Sequence, residues 1–275
     1  MAKPKEIDLP DGTMVPILYE DRSVLAVDKP RGWMLAPDSW DRTGRNLQLA
    51  LTSSLSNGDF WARSRNLKYL RFVHRLDADT NGVLLLAKSP GALSTFSALF
   101  ESRRVEKTYL AVVRGVPKNT EWICRDKIGE VAGTIGLMRV DARNGLDAET
   151  SFRVLQTGAD RALVEARPAT GRTHQIRVHL ASSGHPVLGD AWYGPEKMAV
   201  REGFVRLALR ATRLAYPDPF LRRVIQITAP VDEFLREFGF TALPREARPA
   251  PGSKGGEQQP KPLARPASPT GARTK

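Results

Sequence analysis

Short apolar runs separated by turn residues make up most of the chain between residues 15 and 242. Residues 17–19 and 24–27 flank Asp21 and Arg22, a spacing that predicts a β-hairpin. Further runs have the length and composition of strands, namely residues 83–87, 109–113, 150–155, 162–166, 207–211 and 224–227. The pattern therefore predicts a protein in which strands dominate.

Three segments have helical character instead. Ser89 and Pro90 suit the N-cap and first position of a helix, whose inward-facing residues would be Leu93, Phe96, Leu99 and Phe100. Residues 173–183 predict a second helix, which Gly184 would close, and residues 231–238 predict a terminal amphipathic helix. Because strands outnumber helices and do not alternate with them, we expect an α+β fold with a largely antiparallel mixed sheet flanked by helices.

A change in composition at residue 243 sets the expected domain boundaries. Residues 243–275 are rich in Pro, Gly, Ser, Arg and Lys and contain hardly any apolar side chains. Such a segment cannot bury enough surface to offset its ordering entropy, so we expect a disordered basic tail. Residues 1–14 are expected to form a short leader, and residues 15–242 one folded domain.

The charge balance points to a polyanionic partner. The chain has 42 Lys and Arg residues against 30 Asp and Glu residues, for a formal net charge of +12. Basic side chains release condensed counterions when they neutralise phosphates, so nucleic acid is a natural partner. A merely basic protein without such a partner remains the alternative.

Other features limit the cellular compartments and the cofactors that we expect for this protein. Cys124 is the only cysteine, which excludes an intramolecular disulfide and favours a reducing compartment. The N-terminus lacks a secretory signal and residues 83–87, the longest apolar stretch, are too few to span a bilayer, so we expect a cytoplasmic protein without a membrane contact. No phosphate-binding glycine motif occurs, and nothing indicates a nucleotide cofactor.

Candidate chemistry lies in the stretch from His74 to Gly82, just before the strand predicted at residues 83–87. Asp77 at the mouth of a strand has the character of a nucleophile or base, and the neighbouring Arg75 would favour its ionised form. The alternative is a polar turn in which an aspartate accepts hydrogen bonds from backbone donors. Taken alone, the stretch favours that turn.

The surrounding sequence favours a catalytic role for this stretch over a polar turn. Residues 74–82 resemble motif II of the RluA family of RNA pseudouridine synthases, H-R-L-D-x-x-T-x-G followed by an apolar strand. Residues 107–111 are similar to the family's K-T-Y-L-A strand, and residues 167–180 to its R-P-x-T-G-R-x-H-Q-I-R-x-H block. The resemblance covers most of residues 17–230. It implies that residues 15–242 form a pseudouridine synthase catalytic domain with a central active-site cleft.

The resemblance also implies roles for individual residues. Asp77 aligns with the family's essential aspartate, Tyr109 with the tyrosine that stacks on the flipped base, and Arg177 with the basic residue that pairs with the carboxylate. Arg75 is expected to help fill the space left by the extruded nucleotide. The remaining residues expected to contact RNA and assist base flipping are His74, Arg172, His174 and Gln175.

These roles fit the reaction that the family performs. Conversion of uridine to pseudouridine is redox-neutral and needs no metal or cofactor. It needs a carboxylate at the ribose, an aromatic support for the extruded base, and exclusion of water that would turn isomerisation into cleavage. The sequence leaves open whether Asp77 attacks the sugar or removes its C2′ proton. It also leaves open whether the substrate is transfer or ribosomal RNA. We expect a monomer without an S4-type RNA-binding domain.

Three alternatives remain at this point. His174, His179 and His185 are potential metal ligands, but the interleaved Arg172 and Arg177 would repel a cation. An N-glycosidase using Asp77 with Asp79 would release free uracil. A non-catalytic RNA-binding protein would not need Asp77 at all. Three positions also depart from the family's usual residues, namely Ala36, Asn81 and Arg210.

Overall fold

A mixed sheet of eleven strands forms the centre of the protein in the computed structural model, which describes residues 2–35, 45–195, 206–221 and 223–243. The described strands are β1 Glu6–Asp8, β2 Met14–Glu20, β3 Val24–Lys29, β4 Arg71–Phe72, β5 Asn81–Ala87, β6 Glu106–Arg114, β7 Glu121–Cys124, β8 Ile128–Glu130, β9 Met138–Val140, β10 Thr150–Thr157, β11 Arg161–Pro168, β12 Leu209–Pro217 and β13 Val224–Thr228. The described helices are α1 Leu47–Asn57, α2 Phe60–Arg63, α3 Pro90–Glu101, α4 Gln175–Ser182 and α5 Asp232–Glu237.

The strand order of the sheet is β1-β2-β3-β5-β12-β6-β11-β10-β7, with β13 beside β12 and β4 beside β5. Strands β8 and β9 form a separate two-stranded hairpin. Among the described strands, only the pairing of β5 with β12 is parallel. The predicted α+β fold with a largely antiparallel mixed sheet is therefore confirmed.

Strand β5 is buried on both faces, which explains its unbroken apolar sequence. Its side chains alternate between the two faces of the sheet. Leu84 and Leu86 pack into a core with α1 and α2. Val83, Leu85 and Ala87 pack on the other face with α3. A third core joins the far half of the sheet to α4 and α5.

Gly82 permits the parallel contact between β5 and β12, where it pairs with Ala211. Its φ is +118°, and a Cβ on this residue would collide with the Ala211 backbone. Glycine is required there because only a residue without a side chain allows the two backbones to approach so closely. This contact fixes the start of β5, immediately after the loop that carries Asp77.

The predicted helices form, with some boundaries displaced by one or two residues. Ser89 caps α3 by accepting a hydrogen bond from the backbone N–H of Ala92 at 3.1 Å, as its sequence indicated. The prediction that the second helix begins at residue 173 was wrong by two residues. His174 has a left-handed backbone with φ of 53°, so α4 begins at Gln175. Gly184, with φ of +81°, follows its end as predicted.

Other segments add structure that the apolar pattern did not predict. The leader, residues 1–14, contains β1, which pairs with β2 and buries Ile7. Helices α1 and α2 and the β8–β9 hairpin were also not predicted. Ala36 and residues 244–275, which include nearly all of the expected tail, lie outside the described residues. In the described part of the chain, no helix is long and apolar enough to cross a membrane.

Candidate active site

A cleft of about 690 Å³ opens at the middle of the sheet, where β5, β6 and β12 meet. Its walls come from the loop before β5, from the start of β6, and from the segment joining β11 to α4. The lining includes Asp77, Tyr109, His174 and Arg177. The fold thus brings together three segments that are far apart in sequence.

The cleft also carries an excess of positive charge. Among the described residues, its lining contains two carboxylates, Asp77 and Glu101, against five basic side chains, Arg75, Arg103, Lys107, Arg172 and Arg177. Burial, together with the nearby charge of Arg103, lowers the pKa of Lys107 to about 8. Such a concave basic surface attracts a polyanion.

Lys29, at the end of β3, fixes the loop that bears Asp77. Its side chain is completely buried, and its Nζ donates hydrogen bonds to the carbonyl oxygens of Pro30, Ala78 and Thr80 at 3.0, 2.7 and 3.0 Å. Burial lowers the pKa of Lys29 to about 7, although the charges of Asp77 and Asp79 act in the opposite direction. A single amine therefore anchors the backbone on the C-terminal side of Asp77.

Arg177 connects Asp77 to a second carboxylate, Asp190. Its Nε and Nη2 donate to the two oxygens of Asp190 at 2.7 and 2.8 Å, in a bidentate pair. Its Nη1 lies 3.4 Å from Oδ2 of Asp77. Burial acts to lower the pKa of Arg177, but the hydrogen bonds and charge of Asp190 outweigh it, and the pKa is raised. Arg177 is thus a fixed cation that faces Asp77.

Asp190 is itself held by its own turn. Its Oδ1 accepts hydrogen bonds from the backbone N–H groups of Trp192 and Tyr193 at 3.0 and 3.1 Å, and its side chain is fully buried. Arg177 lies beneath the two aromatic rings, with its Cζ 5.8 Å from the Trp192 ring and 5.0 Å from the Tyr193 ring. The guanidinium therefore has little freedom to rotate.

His174 completes the group around Asp77. Its Nε2 lies 3.9 Å from Oδ2 of Asp77, and its Nδ1 lies 2.8 Å from the hydroxyl of Tyr193. That hydroxyl also accepts a hydrogen bond from the backbone N–H of Met138 in β9 at 3.0 Å. Burial lowers the pKa of His174, while Asp77 acts in the opposite direction.

Tyr109 lies in β6 and lines the same cleft. Its strand neighbours are Ala166 in β11 and Ala211 in β12. Burial, reinforced by the negative charge of Asp77, raises the pKa of the Tyr109 hydroxyl, which therefore stays protonated at neutral pH. The ring lines the cleft with Asp77, and it also packs against two of the hydrophobic cores.

The other residues predicted to contact RNA occupy different environments. Arg75 is exposed and donates to the hydroxyl of Thr173 at 2.7 Å, so it spans the mouth of the cleft. Arg172 is partly buried, and its Nε donates to the carbonyl of Asp147 at 3.0 Å. Both residues present cations at the cleft wall.

His74 and Gln175 are bound mainly within the protein. His74 stacks on Phe100 with ring centroids 4.8 Å apart, and its Nε2 accepts a hydrogen bond from the N–H of Leu85. Burial lowers the pKa of His74 to about 3, which keeps the ring neutral. The buried amide of Gln175 makes four hydrogen bonds, with Thr170, Arg172, Glu149 and Thr150. These bonds fix the segment before α4.

The three histidines considered as metal ligands do not converge. His179 is fully buried and lies 2.9 Å from both the Thr150 hydroxyl and the Asp126 carbonyl, while His185 lies 3.0 Å from the Arg114 carbonyl. His174 lies at the cleft. Within residues 2–35, 45–195, 206–221 and 223–243, no three His, Cys, Asp or Glu side chains are grouped to hold a metal ion.

Comparisons with known proteins point in one direction. A model of the family described as RNA pseudouridylate synthase matches residues 23–182. The chain is 34% identical over 226 residues to ribosomal large subunit pseudouridine synthase C of Vibrio vulnificus (strain CMCP6), covering 80% of this chain and 67% of that protein. The protein of the same name from Escherichia coli (strain K12) is 34% identical over 231 residues, with the same coverage.

The chain belongs to the RNA pseudouridylate synthase family. It is accordingly an isomerase that converts uridine in RNA to pseudouridine. Two solved structures agree with the fold of this RNA pseudouridylate synthase. Human RNA Pseudouridylate Synthase Domain Containing 1 matches with a TM-score of 0.63 and 28% identity, over 78% of this chain and 83% of that one. Human RNA Pseudouridylate Synthase Domain Containing 4 matches with a TM-score of 0.62 and 26% identity, over 84% of this chain and 89% of that one.

Some residues at the site of this pseudouridylate synthase were not singled out from the sequence. Asp190, Tyr193 and Lys29 lie outside the stretches to which the sequence assigned roles. Lysine is almost never fully buried, so the position of Lys29 after an apolar run carried no signal. Asp190 lies thirteen residues after Arg177, a spacing that no local element brings together.

Proposed function

We propose that Asp77 is the catalytic carboxylate of this RNA pseudouridine synthase and that Arg177 keeps it ionised and oriented. The observation that carries the proposal is the row formed by Asp77, Arg177 and Asp190, in which one buried guanidinium contacts two carboxylates. Asp190 takes the two short bonds, so Asp77, which lines the cleft, is held only by the longer contact at 3.4 Å. A side chain that served only as a turn cap would not need this arrangement.

The reaction places simple demands on these groups. The bond between N1 of uracil and C1′ of ribose breaks, the base rotates, and C5 bonds to C1′. The C5 proton then leaves, and N1 carries a proton in the product. Asp77 acts on the ribose, either as a nucleophile or as the base that removes the C2′ proton, and both routes use the same position.

Tyr109 and Arg75 are proposed to manage the extruded nucleotide. Tyr109 and Arg177 both line the cleft, and the ring of Tyr109 would support the detached uracil. Arg75 is exposed at the mouth of the cleft and donates to Thr173, and it would help to fill the space left by the extruded nucleotide. Arg172 adds a cation for the phosphates, while His74, His174 and Gln175 shape the walls.

The proposed substrate is ribosomal RNA of the large subunit, with transfer RNA as the alternative. Support comes from the names of the relatives that match this chain at 34% identity. The positive lining of the cleft and the formal net charge of +12 favour an RNA partner of either kind.

The proposal extends to the setting of the enzyme. We place a monomer in the cytoplasm, with residues 15–242 as the catalytic domain and residues 243–275 as a basic tail that adds non-specific RNA affinity. The buried thiol of Cys124, the only cysteine of the sequence, is consistent with a reducing compartment.

The experiment compares unmodified transcripts of large-subunit ribosomal RNA and of transfer RNA, each tritiated at uridine C5. The expected result is tritium release from the ribosomal RNA at a single mapped uridine, with pseudouridine in the digest. Release from transfer RNA alone would overturn the choice of substrate. Free uracil in place of pseudouridine would overturn the proposed role of the cleft.

A further inference from the structure

A large aromatic side chain lies exposed beside the cleft. Trp192 is 50% exposed, whereas Trp33 and Trp61 are 1% and 4% exposed. Ile135 is 76% exposed, and the adjoining Gly136 lies against the indole, where a Cβ would come within 3.8 Å of the ring. Trp192 and Ile135 thus present an apolar surface at the rim of a basic cleft.

The indole is held in place by its neighbours. Its backbone N–H donates to Asp190, and its ring meets the ring of His174 edge-on at 5.1 Å with an interplanar angle of 85°. Arg177 lies on one face, with its Cζ 5.8 Å from the ring. A ring fixed in this way loses little conformational freedom when a flat partner stacks on it.

Trp192 lies close to Asp77 but outside the cleft. His174 lies between the two residues. Its Nε2 is 3.9 Å from Oδ2 of Asp77, and its ring meets the ring of Trp192 edge-on. Trp192 is not among the described residues that line the cleft. The indole therefore lies one side chain away from Asp77 and outside the pocket that would hold the uracil.

We propose that Trp192 is a stacking platform for the unpaired base adjacent to the target uridine. When the target nucleotide enters the cleft, the RNA strand must cross the rim, and its neighbouring base loses a stacking partner. Single-stranded RNA is commonly bound by stacking such bases on aromatic side chains. The indole replaces the lost partner, and the cations of the cleft hold the phosphates. This inference rests on the proposed RNA reaction at Asp77.

The test uses the RNA fragment that the wild-type enzyme modifies, whether ribosomal or transfer RNA, and two copies with an abasic residue on the 5′ or 3′ side of the target. Trp192→Leu keeps apolar contact with His174 but removes the aromatic face, and Trp192→Phe keeps such a face. Phe60→Leu is the control, because Phe60 is 43% exposed on α2 and lines a separate groove.

Trp192→Leu is expected to raise KM for the intact RNA about tenfold, the scale of one base–aromatic stack. Trp192→Phe should recover most of this loss, and Phe60→Leu should have no effect. On one of the two abasic RNAs, the wild type and Trp192→Leu should have the same KM.

An unchanged KM on intact RNA would overturn the inference. An equal loss on the intact and both abasic RNAs would also overturn it, because Trp192 would then act on Arg177 or His174, or on another partner. Turnover of the intact RNA by the wild type tests the proposed function separately.

Discussion

Arg177 and Asp190 form a bidentate ion pair, at 2.7 and 2.8 Å, whose carboxylate is completely buried. The same guanidinium lies 3.4 Å from Asp77, so the position of the cation that faces Asp77 is set by Asp190 and not by Asp77. In the proposed reaction, Asp77 is thereby left available to the ribose. Such a fixed charge does not need to reorganise when the substrate arrives.

Asp190→Asn is expected to lower kcat on the order of 100-fold, because Arg177 would turn towards Asp77 and the geometry of the pair would be lost. KM for RNA should stay close to that of the wild type. Because the change removes the short, bidentate partner of a buried cation, the free energy of unfolding should fall by about 3–5 kcal/mol. Steady-state kinetics and urea unfolding measure both effects.

Glu165→Gln is the matched control for that change. Glu165 is buried in β11 and pairs with Arg167 and Arg153 at 2.8 and 3.3 Å. It is not among the described residues lining the cleft. This variant should lose stability but keep kcat. A similar loss of kcat in both variants would mean that Asp190 acts only through stability.

Lys29→Met tests the buried amine under the Asp77 loop. Because the pKa of Lys29 is lowered to about 7 by burial, the unfolded chain binds more protons at this group than the folded chain between about pH 7 and its ordinary value. The Lys29 contribution to stability must therefore rise with pH across that window. The free energy of unfolding of the wild type minus that of Lys29→Met should grow by about 2–3 kcal/mol between about pH 6 and pH 9.

Urea unfolding of both proteins at the two pH values measures this difference. A difference that is constant, or that shrinks with pH, would contradict the lowered pKa. The variant should also have reduced kcat at every pH, because the carbonyl oxygens of Ala78 and Thr80 lose their common donor.

Two variants of Tyr109 distinguish the contribution of its ring from that of its hydroxyl. If the ring supports the extruded base, Tyr109→Phe should keep the KM of the wild type, while Tyr109→Leu should raise it about tenfold or more. The measurement is steady-state turnover on the same RNA. Equal KM values for the phenylalanine and leucine variants would remove the stacking role.

Gly82→Ala tests the parallel contact that places the Asp77 loop. The new Cβ would collide with the Ala211 backbone, at a residue whose φ is +118°. The expected loss in free energy of unfolding is at least about 3 kcal/mol. Gly91→Ala in α3 is the control, since its Cβ would point into open space. It should be neutral or stabilise by up to about 1 kcal/mol. Wild-type stability of Gly82→Ala would show that the two strands can separate.

Local patterns in the sequence predicted the central strands and α3, because the residues that specify each of these elements are adjacent in the sequence. Strand β5 is an unbroken apolar run, and α3 has Ser89 and Pro90 at its start. Helix α1 was missed because Leu47, Leu49 and Leu51 alternate as in a strand. The strands of the β8–β9 hairpin have three residues each, too few for any pattern to show.

The site was predictable only in part, because some of its features depend on residues that are far apart in the sequence. The resemblance to the RluA family named Asp77, Tyr109 and Arg177, and the fold places all three around one cleft. The left-handed backbone of His174 and the bond from Asp190 to Arg177 depend on tertiary contacts. No spacing of residues in the sequence encodes such contacts.

The most direct test of the account is tritium release from RNA labelled at uridine C5 by the wild type, Asp77→Asn and Asp79→Asn. Asp79 is the exposed neighbour in the same loop, so it controls for loss of one negative charge there. We predict that Asp77→Asn releases no tritium yet binds RNA with wild-type affinity, whereas Asp79→Asn remains active. Tritium release by Asp77→Asn at the wild-type rate would contradict the account.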